Sequence, residues 1–235
     1  MKKIAIAVTL LSVLAALIVH QRFRIVLTQF GDGSPPPLLD AQDEGADVTW
    51  HDDYYIVQAL DAKTFAIGEP RYLQQNFNYL IIGTERALLF DAGSGYRDIR
   101  PVVEALTDKP VTFLPSHFHF DHVGNRVEFE RVAVIDLPHL RDRAPNNELQ
   151  LTWEEHLGSL EGYDPPTLKI DEWLEAGSLL ELGDRSLRVI FSPGHTDDSV
   201  SLLDAARGYL FSGDFMYPGP LFAFLPNSNM GDYLQ

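Results

Sequence analysis

His117-Phe118-His119-Phe120-Asp121-His122 places three imidazoles and one carboxylate within six residues. Neutral imidazole and carboxylate are the side chains that zinc and similar borderline metals prefer. A tetrahedral catalytic metal takes three protein ligands and keeps a position open for water, so four ligand-type residues in one segment point to two neighbouring metals. Without a metal, such packing would leave several polar groups to satisfy and would gain little core. Phe118 and Phe120 are expected to pack around this cluster without touching substrate. The other histidines, His20, His51, His139 and His156, stand alone in the sequence and read as surface or satisfied core residues.

Ligands of one site commonly come from loops at the C-terminal ends of several strands. Leu88-Leu89-Phe90-Asp91-Ala92-Gly93 places Asp91 at a strand end before a glycine turn. Phe191-Ser192-Pro193-Gly194-His195-Thr196 places His195 after a strand, and Phe211-Ser212-Gly213-Asp214 does the same for Asp214. Each alone reads as a turn; together with the histidine cluster they read as one site.

The elements that must hold these loops are mostly short strands rich in aromatic and aliphatic residues and punctuated by Gly, Pro and Asp. A first set covers Tyr54–Leu60, Thr64–Ile67, Phe77–Ile82, Ala87–Phe90, Val111–Pro115 and Arg131–Ile135. A second covers Leu168–Ile170, Leu179–Leu182, Leu187–Phe191, Val200–Leu203 and Tyr209–Phe211. Gly83–Arg86 reads as a hairpin loop. Helical spacing places Ile99, Val102, Val103 and Leu106 on one side of Asp98–Leu106. Further helix is expected from Leu137 and over Trp153–Leu160. Two successive strand sets with interleaved helices predict an α/β fold of two packed sheets with helices outside.

The chain has 235 residues, enough for one sizeable domain. Its 34 acidic and 18 basic side chains give a net charge of −16, a field that repels polyanions and excludes nucleic acid as a partner. With no cysteine, disulfides, Cys-ligated zinc and a lipidated N-terminal Cys are all excluded. Lys2 and Lys3 precede an apolar or small-residue run from Ile4 to Val19, and Arg22 and Arg24 follow. This reads as a signal peptide or N-terminal membrane anchor over residues 1–24, with the anchor favoured because no small-residue cleavage site ends the run. An exported or membrane-anchored, extracytoplasmic location is expected, with the N-terminal segment contacting membrane. Residues 25–53 read as a linker through Gly31–Pro37 and an acidic stretch from Asp40 to Asp53, and residues 54–235 as the folded domain.

These motifs, in this order, resemble the metallo-β-lactamase-fold superfamily: Asp91, then Ser116–His122, then Pro193-Gly194-His195-Thr196, then Ser212-Gly213-Asp214. The resemblance runs from about Phe77 to Asp214. It implies an αββα sandwich of two mixed sheets with outer helices. His117, His119 and His195 would bind a first metal, Asp121 and His122 a second, with Asp214 bridging both. Asp91 would orient ligands from behind through hydrogen bonds. Two Zn²⁺ are expected in a complete chain, with iron or manganese as alternatives. The family's last histidine, downstream of the bridging Asp, is absent here. The expectation is therefore a chain truncated at its C-terminus, lacking the last strand and closing helices.

The implied reaction is hydrolysis of an ester, thioester, lactone or amide in a small-molecule substrate, by a hydroxide held between the metals. Asp121 would also take or relay a proton. An acidic bridging residue resembles hydroxyacylglutathione hydrolases, lactonases and related thioesterases, whereas true β-lactamases of the fold typically carry Cys or Ser there. Phe215, Met216 and Tyr217 open an aromatic, proline-rich segment that would wall an apolar substrate pocket. The competing readings are a mononuclear iron thiol or persulfide oxygenase of the same fold, a true β-lactamase, and a non-catalytic degenerate member.

Overall fold

A computed structural model describes residues 2–29, 31–126 and 129–234. Met1 and Gln235, the outer limits of the expected N-terminal segment and of the expected domain, lie outside the described residues. Three sheets form. Eight strands make the first: β1 (Val48–Trp50), β2 (Ile56–Asp61), β3 (Thr64–Gly68), β4 (Phe77–Ile82), β5 (Ala87–Phe90), β6 (Val111–Leu114), β7 (Arg131–Ile135) and β10 (Glu172–Leu174), in that spatial order. β8 (Glu148–Gln150) and β9 (Thr167–Lys169) form a separate ribbon. β11 (Leu179–Glu181), β12 (Ser186–Phe191), β13 (Val200–Asp204) and β14 (Tyr209–Phe211) make the third. The helices are α1 (Lys2–His20), α2 (Arg22–Leu27), α3 (Arg100–Leu106), α4 (Phe120–Val123), α5 (Pro138–Arg141) and α6 (Trp153–His156).

The first sheet is mixed, antiparallel from β1 to β5 and parallel from β5 through β6 and β7 to β10. The four-stranded sheet is antiparallel throughout, which corrects the expectation of two mixed sheets. Its strands are joined by short hairpins, and only a crossover connection makes a parallel pair. All four residues of β5 are buried, as expected of a central strand covered on both faces.

One apolar core joins the sheets, from Ile67, Leu80 and Leu89 to Leu187, Val189 and Leu202. Tyr79 of β4 meets Phe211 of β14 with ring centroids 5.1 Å apart. At one end the two sheets are clamped by polar groups. Arg185, fully buried, donates to Asp204 at 2.7 Å and to the Lys63 carbonyl at 3.2 Å. The Gly83–Arg86 loop docks on the loop between β11 and β12, where Glu85 N donates to Leu182 O at 3.0 Å.

Several elements differ from the sequence reading. Pairing begins at Val48, inside the stretch read as acidic linker. β1, β8 and β10 are three residues each, too short to show a periodic pattern. The stretch read as Leu168–Ile170 pairs with β8 and not with the second main sheet. The helix expected over Trp153–Leu160 stops after one turn: Thr152 and Glu155 form a capping box at its start, and Leu157 turns left-handed at φ 55°.

The expected membrane-anchored, extracytoplasmic location is overturned. Among the described residues, no helix is long and apolar enough to cross a membrane. The apolar run from Ile4 to Val19 falls short of the roughly 20 residues that a span requires.

Candidate metal centre

β5 and β6 are parallel neighbours in register, with Phe90 opposite Leu114. Their C-terminal ends therefore lie side by side, and Asp91 emerges next to Ser116–His122. Asp91 N donates to Leu114 O at 3.0 Å. The second main sheet reaches the same place: Val200 N of β13 donates to Ser116 O at 2.8 Å. The loop after β12 thus delivers His195, and the turn after β14 delivers Asp214.

The ligand atoms converge. His119 Nδ1 lies 2.9 Å from His117 Nε2 and 3.0 Å from His195 Nε2. His195 Nδ1 is 2.9 Å from the Phe222 carbonyl, which accepts its proton and leaves Nε2 as a lone pair. Ser116 Oγ stands 3.0 Å from His117 Nδ1 and can fix that ring likewise. Burial, and after it the neighbouring imidazoles, hold His117 and His119 well below the ordinary histidine range. Burial also lowers His195, against the attraction of Asp214. Three neutral rings then turn lone pairs on one another, an arrangement that a cation stabilises.

His122 faces the other way. Its Nδ1 is held by Asp91 Oδ2 at 2.9 Å, while Asp91 Oδ1 accepts from Ser116 N at 2.6 Å. Its buried Nε2 has no hydrogen-bond partner and lies 3.5 Å from Asp214 Oδ1 and 3.7 Å from Asp121 Oδ2. The other Asp214 oxygen, Oδ2, lies 3.7 Å from His195 Nε2. Burial opposes charge on His122, but Asp91, Asp121 and Asp214 outweigh it and push its pKa well up. Burial likewise opposes charge on Asp214, and His122 and His195 outweigh it and hold the carboxyl well below its usual range. Burial raises Asp121, with Asp214 adding to the shift. An orphaned imidazole nitrogen between two carboxylates, beside three converging lone pairs, fits divalent metal. Two such groups meet the geometry of a metal site among the described residues: His117, His119 and His195, and His117, His122 and Asp214.

A cavity of about 890 Å³ opens over these residues. Met216 and Tyr217 line it; Phe215 does not, and stacks on Tyr233 at 5.1 Å. Phe120, expected only to pack, lines the cavity and stacks on Tyr163 at 5.6 Å. Phe118 is buried. His156 is also buried, but its Nδ1 has no hydrogen-bond partner, and burial lowers its pKa to about 4.

Asn76 escaped the sequence reading. Its Nδ2 donates to both the carbonyl (2.8 Å) and the Oδ2 (2.9 Å) of Asp121. The polar run Gln74-Gln75-Asn76 just before an apolar strand was the available signal. Glu69 was missed too: fully buried, it accepts from Tyr54 and Ser94 and braces the turn after Asp91.

Compared with known families, residues 71–234 match the metallo-beta-lactamase superfamily. The chain belongs to that superfamily. Among its relatives, the acyl-coenzyme A thioesterase MBLAC2 of Gallus gallus is 32% identical over 205 residues, covering 77% of this chain and 73% of the relative. A hydroxyacylglutathione hydrolase of Gloeobacter violaceus is 29% identical, covering 60% of this chain and 50% of the relative. The fold is shared with solved metallo-β-lactamase superfamily structures. The BLEG-1 B3 metallo-beta-lactamase has a TM-score of 0.54 at 23% identity, covering 71% of this chain and 80% of that one. A metallo-beta-lactamase family protein of Thermus thermophilus also scores 0.54, at 20% identity, covering 75% of this chain and 68% of that one.

Proposed function

We propose that this chain is a metal-dependent hydrolase of small-molecule acyl thioesters, with its reaction centre at His117, His119, His195, Asp121, His122 and Asp214. The observation that carries the reading is the placing of Asp214. One carboxylate oxygen faces His195 and the other faces His122, at 3.7 and 3.5 Å. A single group turned toward both sets of ligand atoms would let His117, His119 and His195 on one side, and His122 on the other, share it in holding divalent metal. Bound divalent metal supplies Lewis acidity toward the acyl carbonyl and lowers the pKa of water to about 7. The nitrogen and oxygen donor set favours zinc.

The protein's own groups do the rest. His117, His119 and His195 stay neutral at pH 7, as ligands must be. Asp91 fixes the ring of His122, and Asn76 fixes the carboxylate of Asp121. Asp214 stays ionised. Asp121, whose proton affinity is raised by burial, takes a proton from the attacking water and passes it to the leaving sulfur. Water adds across the acyl C–S bond: a C–O bond forms, the C–S bond breaks, and the products are a carboxylic acid and a thiol. Met216 and Tyr217 contact the substrate from the cavity wall.

The thioester assignment rests on two further points. The named activities of the Gallus gallus and Gloeobacter violaceus relatives are acyl-coenzyme A thioesterase and hydroxyacylglutathione hydrolase. The acidic residue at position 214 resembles that branch of the superfamily more than true β-lactamases. The test combines metal analysis of the purified chain with thiol release from an acyl thioester. We expect bound zinc, thiol release by the native chain, and none above background from His117→Ala or Asp214→Ala. Full activity in either variant rejects the reading, and iron with no thiol release points to oxidation chemistry instead.

A further inference from the structure

We infer that the N-terminal segment closes the acyl pocket: Leu27 and the turn at Gly31–Gly33, docked on Leu160, set how long an acyl chain the site accepts. The inference rests on the acyl-hydrolase reading above. Leu27, at the end of α2, and Gly31 line the same cavity as His119, Asp121 and Asp214. They are far from those residues in sequence, so the fold has brought them there.

The docking is backbone against backbone. Gly33 N donates to Leu160 O at 3.1 Å. A Cβ at Gly31 would lie 2.2 Å from Leu160 O, and a Cβ at Gly162 would lie 2.5 Å from Gly33 O. Glycine on both sides permits an approach that no other residue allows. Arg24 adds a second tie, its guanidinium 5.0 Å from the ring centre of Trp153. Trp153 opens the one-turn helix that leads to Leu157 and Leu160, both in the cavity wall.

The chemistry of this wall is aliphatic: Leu27, Leu73, Leu157 and Leu160 line it. Its one carboxylate, Glu161, is engaged on both oxygens, by Gln74 at 2.7 Å and by the hydroxyl of Tyr72. A hydrocarbon chain gains by covering such a surface with each methylene it buries. The superfamily match runs over residues 71–234, so Leu27 and Gly31–Gly33 lie outside the matched residues. Chain-length selectivity is then set by the N-terminal segment, laid over the catalytic frame.

The experiment uses the full chain and the variants Leu27→Trp and Gly31→Leu, with Leu179→Ala as control. Leu179 is exposed on β11, away from the cavity. Two readouts are taken: kcat and KM for butyryl and lauroyl thioesters of N-acetylcysteamine, and binding of the fluorescent fatty acid cis-parinaric acid. Both wall variants should raise KM for the lauroyl substrate about tenfold, roughly what two buried methylenes contribute. KM and kcat for the butyryl substrate should stay within about twofold of native. Parinaric acid should bind about tenfold more weakly to both variants and normally to the control. Parallel changes on both thioesters, or unchanged parinaric acid binding by folded Leu27→Trp, overturn the inference. If the native chain hydrolyses no thioester yet parinaric acid binding falls in the variants, the wall stands and the hydrolase reading fails. Thermal unfolding confirms folding, and Leu27→Trp alone decides if Gly31→Leu does not fold.

Discussion

Asp91 carries a φ of 67°, a left-handed backbone that Asp tolerates better than most residues. That turn aims one carboxylate oxygen at Ser116 N and the other at His122 Nδ1, so the imidazole has one nitrogen bound and the other free to face the metal side. Asn76, in the loop just before β4, does the same for Asp121. Groups that orient ligands in this way are typically worth 10–100-fold in metal affinity. Asn76→Ala should therefore lose zinc to a competing chelator at about 10–100-fold lower chelator concentration while its circular dichroism stays native. Native-like zinc retention would show that Asp121 holds its position unaided. The histidine motif was legible because its ligands lie within one turn of chain. Asn76 was not, since its contact with Asp121 spans 45 positions and depends on how β4 sits beside α4.

α4 is a single turn held by the loop after β5 at backbone distance. Gly124 N donates to Gly93 O at 2.9 Å, and a Cβ on Gly124 would lie 2.1 Å from the Ser94 carbonyl carbon. Backbone cannot yield as a flexible side chain does, so Gly124→Ala should push α4 off its loop. Overpacking of this kind costs about 1–3 kcal/mol or more. At about 2–4 °C per kcal/mol for a chain of this size, the melting temperature should fall by several degrees, and zinc retention should fall with it. An unchanged melting curve would mean that the loop relaxes freely. Elements of four to six apolar residues were readable from pattern. Three of the three-residue strands, β1, β8 and β10, were not: pairing partners, and not their own residues, make them strands.

At the scale of the whole molecule, the candidate metal centre joins loops from both main sheets, so metal should bind folded chain far better than unfolded. Chelation should lower the melting temperature. The loss is about 4 kcal/mol if free metal had stood about a thousandfold above its dissociation constant. Melting curves with and without chelator check this, and coincident curves would reject a metal centre shared by the two sheets. A second global effect is pH-dependent. Asp198 is fully buried with one oxygen unpartnered. Burial, more than the nearby Asp197 and Glu155, raises its pKa from 3.8 to about 7, against a hydrogen bond from Thr196. Below 3.8 both folded and unfolded chains hold the proton. Between 3.8 and about 7 only the folded chain holds it, so stability falls as pH rises, and above about 7 the full cost remains. Asp198→Asn removes that slope. In urea titrations of metal-free protein, the variant should gain on the native chain from pH 4 to pH 8, by at most about 1.4 kcal/mol per pH unit. A constant difference across that range would show that Asp198 titrates normally.

What the sequence determined by itself is the chemistry: which side chains can hold a metal, and that they follow strand ends. Those facts depend on residue type and on spacing within a few positions, both written directly in the chain. The family's order of motifs added the fold. The tertiary structure decided which atoms meet. It set the parallel register that puts Asp91 beside Ser116, the contact from Val200 that brings His195 and Asp214 across from the second main sheet, and the docking of Gly31–Gly33 on Leu160. It also removed Phe215 from the pocket and admitted Phe120. Such contacts arise from packing between segments tens of residues apart, and no local pattern in the chain encodes them.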